Sequence, residues 1–216
     1  SSDQFGNSVA IENDIIAVGA SSDDVLVSGS NRGDAGSVTL FKVDGAGNIT
    51  RTATLTAPLP NSSSFFGVSV SISGNFLVIG EQRRSHIQNY SGAVYLYKIN
   101  SNGTAQLTAT LHSPNPSYEG YFGHSVDLSG DRLVVGAFNE NSEIASNSGS
   151  AYIYKVKPDG SVSLLEVLKH PSAKSSDRLG VSVCTSGRLT IVGADYFDPP
   201  PDKWNAGGAV LFHSSF

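Results

Sequence analysis

Residues 66–81 read FGVSVSISGNFLVIGE. In the first half Val70 and Ile72 fall on one side of an extended chain, with Ser69 and Ser71 on the other. Ser73-Gly74-Asn75 then supplies a tight turn. Phe76–Ile79 is an unbroken apolar run, the pattern of a short strand covered on both faces. The stretch therefore predicts two antiparallel strands, A and B, and Gly80 ends the second.

The stretch recurs as FGNSVAIENDIIAVGA from Phe5, FGHSVDLSGDRLVVGA from Phe122 and LGVSVCTSGRLTIVGA from Leu179. Successive copies, opening at Phe5, Phe66, Phe122 and Leu179, start 61, 56 and 57 residues apart. Each copy leads to a second match: GSVTLFKV from Gly36, GAVYLYKI from Gly92, GSAYIYKV from Gly149 and GAVLFH from Gly208. These alternate with aromatics and predict a strand C. In the first three repeats a Thr/Ser-rich segment follows, ITRTATLTA, TAQLTATLH or SVSLLEVLK, suited to a half-wet outer strand D. Asn-Gly and Asp-Gly pairs, Asn102-Gly103 and Asp159-Gly160, mark C–D hairpins.

A four-stranded antiparallel unit at this period is a propeller blade, which needs neighbours to cover its faces. The expected fold is an all-β β-propeller with blades near 5–58, 66–113, 122–170 and 179–216, the last without its outer strand, in one domain over 1–216. Phe5, Phe66, Phe122 and Leu179 are expected to plug the space between blades. The glycines that open strand A and close strand B mark close backbone approach or an unusual φ. Cys184, the single cysteine, forms no internal disulfide and is expected to be a small buried residue.

Phe-Gly at the start of strand A and Val-Gly-Ala at the end of strand B resemble the FG-GAP repeat, familiar from integrin α-subunit propellers and from bacterial and algal surface proteins. The resemblance covers nearly the whole chain and implies a propeller that binds rather than catalyses. Integrin-type copies often carry an Asp-rich calcium loop between strands A and B. Here every A–B link is a tight turn, so that site is expected to be absent, and Ser21, Gln82, Phe138 and Asp195 replace the final proline of the motif. Integrin-like propellers have seven blades. This chain fits a piece of a larger propeller, a four-bladed disc, or two chains closing one ring, and the large aromatics of strand C favour the first.

A net charge of −5 argues against a nucleic acid or an anionic membrane as partner. No apolar run approaches the roughly 20 residues that span a bilayer. Ser1 leads straight into the first repeat and no methionine occurs, as expected of a mature or trimmed chain.

The A–B and C–D links are short, whereas the B–C and D–A links are long and fall on one face. That is the arrangement of a binding surface on a rigid scaffold. Arg32-Gly33-Asp34 is an adhesion-type tripeptide in the first B–C link. Asp23 and Asp24 offer oxygens to a weak calcium ion, while Glu140 with Glu143 and Asp195 with Asp198 read as solvated loop charge. Tyr196, Phe197 and Trp204, the only tryptophan, are candidates to stack on a sugar or a protein. Asn48, Asn61, Asn89 and Asn102 head N-glycosylation sequons.

The five histidines are scattered, and no nucleophile–base motif occurs. The expected function is extracellular or cell-surface binding or adhesion, with a protein or glycan as partner, further blades or self-association to close the ring, and no certain cofactor. A structural module without a ligand is the alternative, and a propeller hydrolase or lyase comes behind both.

Overall fold

The structure is a computed structural model and describes residues 2–198 and 205–214. The first sheet contains β1 (Phe5–Glu12) and β2 (Ile15–Ala20). A small hairpin follows in the B–C link, β3 (Val25–Val27) and β4 (Ser30–Arg32). The sheet is completed by β5 (Ser37–Val43) and β6 (Ile49–Leu55) in the order β1-β2-β5-β6. The second blade is β7 (Phe66–Ser73), β8 (Phe76–Glu81), β9 (Ala93–Ile99) and β10 (Ala105–Leu111). The third is β11 (Ser125–Ser129), β12 (Arg132–Ala137), β13 (Ser150–Val156) and β14 (Val162–Leu168). The fourth has three strands: β15 (Leu179–Ser186), β16 (Leu189–Ala194) and β17 (Gly208–His213). All pairings within the blades are antiparallel.

Ala194 faces Gly208 just as Ala20 faces Ser37, so Gly207, not Gly208, takes the place of Gly36. A double glycine in that link hid the offset.

Three apolar clusters fill the seams between successive blades. In the first, Ala17, Val38 and Leu40 meet Phe66, Ile79 and Tyr95. In the second, Val78, Val94 and Leu96 meet Phe122, Val135 and Tyr152. In the third, Val134 and Ile153 meet Leu179, Val192 and Phe212. Full burial of each such side chain contributes roughly 1.5–3 kcal/mol.

The seams are closed by backbone as well. Phe66, Phe122 and Leu179 donate their N–H to the carbonyls of Ala35, Ser91 and Ser148 at 2.9, 3.0 and 2.9 Å. Above each contact lies a glycine, Gly36, Gly92 or Gly149. A Cβ on any of the three would sit about 2 Å from the carbonyl oxygen of the incoming residue. Ser8, Ser69 and Ser125 each donate a hydroxyl to the carbonyl of Gly67, Gly123 or Gly180 in the following blade, at 2.7–2.8 Å. Gly67 itself has φ +85°, and its place in the register shift between Phe66 and Ser69 lets strand A bend into the seam.

The blades form an open arc, so a closed four-bladed disc is ruled out. The first blade leaves its leading face uncovered and the fourth its trailing face. Phe66, Phe122 and Leu179 are fully buried plugs, but Phe5 is 61% exposed, because no blade stands before it among the described residues. Cys184 is exposed as well. It pairs with Ile191, which pairs with Leu211, and this row lies on the uncovered trailing face. Strand β16 accordingly alternates between buried and exposed residues, whereas β8 and β12 are buried throughout.

Candidate functional site

The long links meet on one face of the arc. Each D–A link bonds to the B–C link of the blade before it. Ser63 donates its N–H to Gly33, Glu119 to Asn89 and Ser176 to Ser146, at 2.8–2.9 Å. The chain then enters the next blade through one left-handed residue: Gln4 (φ 56°), Phe65 (59°), Tyr121 (56°) or Arg178 (60°). Non-glycine residues seldom adopt this conformation, and its persistence requires a surrounding that fixes it. Backbone bonds do so here, from the Phe65 N–H to Asp34 and from the Tyr121 N–H to Tyr90.

These residues carry a row of alternating cations and rings. The Arg83 guanidinium lies 4.9 Å from the Phe65 ring centre and 5.7 Å from that of Tyr90. The Arg178 guanidinium lies 4.5 Å from Phe138 and 4.8 Å from Tyr196, and it pairs with Asp195 at 3.3 Å. Tyr121 stacks on Phe138 at 5.2 Å between them. Such cation–π layers each contribute about 0.5–2 kcal/mol and hold the guanidinium planes in fixed orientation. An open groove of about 600 Å³ runs along the row, with Gln82, Glu119 and Asn139 on its walls.

Burial pushes the Tyr121 phenol up and the His124 imidazole down; Glu119 adds to the first effect and the Arg178 charge to the second. Burial thus favours the neutral imidazole of His124, whose Nδ1 lies 2.6 Å from Gln82 Oε1. The Nε of Arg83 is buried without a hydrogen-bond partner. Aromatic faces, planar hydrogen-bonding forks and both signs of charge give the groove the means to hold a polar ligand.

A larger cavity, about 710 Å³, lies on the opposite, turn face. Its polar groups tie adjacent turns together: Glu12 accepts the Gly74 N–H at 3.1 Å, and Lys155 pairs with Asp131 at 3.4 Å. Lys98 on its wall donates to the Pro158 carbonyl at 3.4 Å, and size alone does not make the cavity the better site.

The candidates read from the sequence are scattered by the fold. Arg32 is exposed at the end of β4, but Gly33 and Asp34 are built into the seam through their carbonyls, and the hairpin apex is Ser28-Gly29. The tripeptide is thus not displayed at a loop tip. Asp23 accepts the Ser37 hydroxyl at 2.6 Å. Asp24 accepts from the Asn31 side chain and the Asp34 N–H, which hold its carboxyl below the usual range. The two aspartates thus serve different partners, and no cluster of three or more His, Cys, Asp or Glu suited to a metal occurs among the described residues.

Tyr196 joins the groove, whereas Phe197 turns inward against His170 and the third core cluster. Trp204 lies outside the described residues. All four sequon asparagines are exposed.

Glu140 is not the solvated loop charge that the sequence suggests. It is fully buried, not solvated, and accepts the Tyr152 hydroxyl at 2.5 Å and the Ser113 hydroxyl. Burial pushes its carboxyl up to about 7. Glu81, at the end of β8, accepts the Tyr95 hydroxyl at 2.5 Å in the preceding seam and is pushed up in the same way. Both carboxylates fasten loops to strand C.

Arg83, Arg178, Tyr121 and Phe138 were missed in the sequence. The signal was present in two columns, the residue before Phe/Leu-Gly and the residues after strand B. Large side chains recur there in every repeat but the first.

A family model described as the FG-GAP repeat matches residues 1–41, 49–97 and 106–154. No curated protein matches the sequence. Among solved structures, a protein from Lactobacillus plantarum superposes with a TM-score of 0.58 at 17% identity, covering 96% of this chain and 54% of that one. Sqt1 from Chaetomium thermophilum gives 0.51 at 14% identity, covering 90% of this chain and 43% of its own. At such identities the likeness concerns the fold alone, and the chain spans about half the length of these structures. Three in-phase matches to one repeat model, on a chain whose seams all reuse one contact at the same place, make this protein a member of the FG-GAP repeat family.

Proposed function

We propose that the protein is a binding or adhesion module of the extracellular space or cell surface that takes a glycan or protein ligand on its loop face. The observation that carries this is the row of layered arginines and aromatics along the groove, held by left-handed residues at the same point of successive repeats. Arg, Tyr and Trp dominate binding hot spots, because they combine area with directed hydrogen bonds at low entropic cost. The role is binding and not catalysis. The two carboxyl groups that burial pushes up, Glu140 and Glu81, lie in the seams bonded to tyrosines.

Glycan and extracellular-protein arrays probed with the soluble chain test this. A ligand should be found, and Arg178→Ala and Tyr196→Ala should each weaken it by about 10-fold or more. A silent array, or a ligand indifferent to both substitutions, refutes the reading. The alternative of a structural module is favoured by the two uncovered blade faces.

A further inference from the structure

The same cation–ring pair is built twice on the loop face, with its members exchanged. In the second blade the ring is Phe65, just ahead of β7, and the cation is Arg83, two residues after β8. In the fourth the cation is Arg178, just ahead of β15, and the ring is Tyr196, two residues after β16.

The two arginines differ in charge balance. Asp195 neutralises Arg178 at 3.3 Å. The matching place in the second blade holds Gln82, which is uncharged and whose Oε1 is engaged with His124. Arg83 has no ion-pair partner among the described residues, and its buried Nε finds no acceptor. Half-buried against the Phe65 and Tyr90 rings, the guanidinium is oriented and partly dehydrated. The Tyr121 hydroxyl is close enough to feel both its charge and a hydrogen bond from it. A phenol that accepts from arginine keeps its own proton to donate. A partly dehydrated cation without a counter-charge carries a free-energy cost, and an anion relieves it through charge-assisted hydrogen bonds.

The rest of the groove suits hydroxyl groups better than an apolar side chain. Hot spots of protein partners seat in apolar pockets. Phe138, between Tyr121 and the Arg178 guanidinium, is only 8% exposed and leaves no such socket. Asn139 donates its amide to the Glu119 carbonyl at 2.9 Å and keeps its side-chain oxygen as an acceptor. Ser176 on the same wall is exposed, and Tyr196 is 41% exposed.

Taking the binding role proposed for this face as the basis, we infer that the groove takes an acidic saccharide, whose carboxylate or sulfate pairs with Arg83 and the Tyr121 hydroxyl while its hydroxyl groups meet Asn139 and Ser176. The ligand is sparsely charged, because a net charge of −5 and Glu119 on the groove wall repel a dense polyanion.

An array that displays carboxylated sugars beside their methyl esters, sulfated sugars beside their desulfated forms, and neutral sugars tests this with the soluble chain. The tightest ligand should be acidic, and the carboxylated and sulfated sets tell which anion the site takes. Arg83→Gln should weaken that ligand by about 10-fold or more. Glu119→Gln should strengthen it by about 2–5-fold, since a repelling charge leaves the wall. The uncharged counterpart, ester or desulfated sugar, should bind wild-type and Arg83→Gln chains about equally, because the partner of Arg83 has gone. A merely structural role for Arg83 would instead weaken the charged and uncharged forms alike, and that result would overturn the inference. So would a neutral saccharide or a protein as the tightest ligand, or an acid that Arg83→Gln binds as well as the wild type. A neutral ligand lost in Tyr196→Ala would sink the acidic class and leave the binding role standing, whereas a silent array would sink both.

Discussion

Adding one methyl group at Gly6 and at Gly67 separates backbone strain from seam packing. The two glycines occupy the same place in successive repeats and have nearly the same φ, +93° and +85°. Alanine at either is forced into the left-handed region, at a cost of about 1–2 kcal/mol. Their surroundings differ. A Cβ on Gly6 meets nothing within 4 Å, whereas on Gly67 it lies 2.6 Å from the Ser37 oxygen and 2.9 Å from Val38 Cγ2.

The second site cannot yield cheaply, because Ser37 belongs to a buried strand, and overpacking of this kind costs roughly 1–3 kcal/mol more. Gly6→Ala should therefore lower stability by about 1–2 kcal/mol and Gly67→Ala by roughly 2–5 kcal/mol. At about 2–4 °C per kcal/mol for a chain of this length, the melting temperatures should fall by roughly 2–8 °C and 4–20 °C. Urea unfolding of the two variants measures the difference at constant m value. Equal losses at the two sites would falsify the claim that the seam is sterically closed at Gly67.

The ionisation of Glu140 gives a second prediction. Its folded-state value, about 7, lies above the ordinary carboxylate value of 4.5, so the folded chain holds the extra proton. Its contribution is fully present below about pH 4.5 and is lost as pH rises to about 7, so stability should fall across that window and Glu140→Gln should flatten the slope by roughly 2–3 kcal/mol. A slope unchanged in the variant refutes it. Partial burial and the nearby Asp127 carboxylate raise the Cys184 thiol, so a thiol reagent should label the folded chain slowly but to completion. Labelling that requires denaturant would contradict its place on the open face. Millimolar calcium should leave the melting temperature unchanged, since Asp23 and Asp24 are bonded to different partners; a rise of several degrees would show a site at those loops.

The blades were legible in the sequence because alternation and unbroken apolar runs report directly which faces of a strand are covered. Phe66, Phe122 and Leu179 follow from that logic alone. Phe5 and Cys184 have the same local pattern and a different fate, since exposure there depends on what stands beyond the first and fourth blades. Local sequence carries no such information. Glu140 was misread for a related reason. A carboxylate in a polar loop looks solvated until Tyr152 and Ser113, 12 and 27 positions away, are brought over it. The arginine–aromatic row escaped because its members come from two columns of the repeat, and their alternation exists only once the blades stand side by side.

The left-handed residue ahead of each strand A carries a consequence for how such a protein diversifies. At Phe65 and Tyr121 that conformation is held by main-chain bonds to the neighbouring loop, which are indifferent to the side chain they hold. Gln4, Phe65, Tyr121 and Arg178 share one backbone state and almost no chemistry. None is β-branched, as that region of φ requires. Each blade therefore offers one interchangeable letter on the surface, drawn from an alphabet restricted by backbone sterics alone. Rewriting that letter leaves the glycines and plugs of the interior untouched, so a lineage of such arcs can explore new surfaces one residue per blade without first losing its fold.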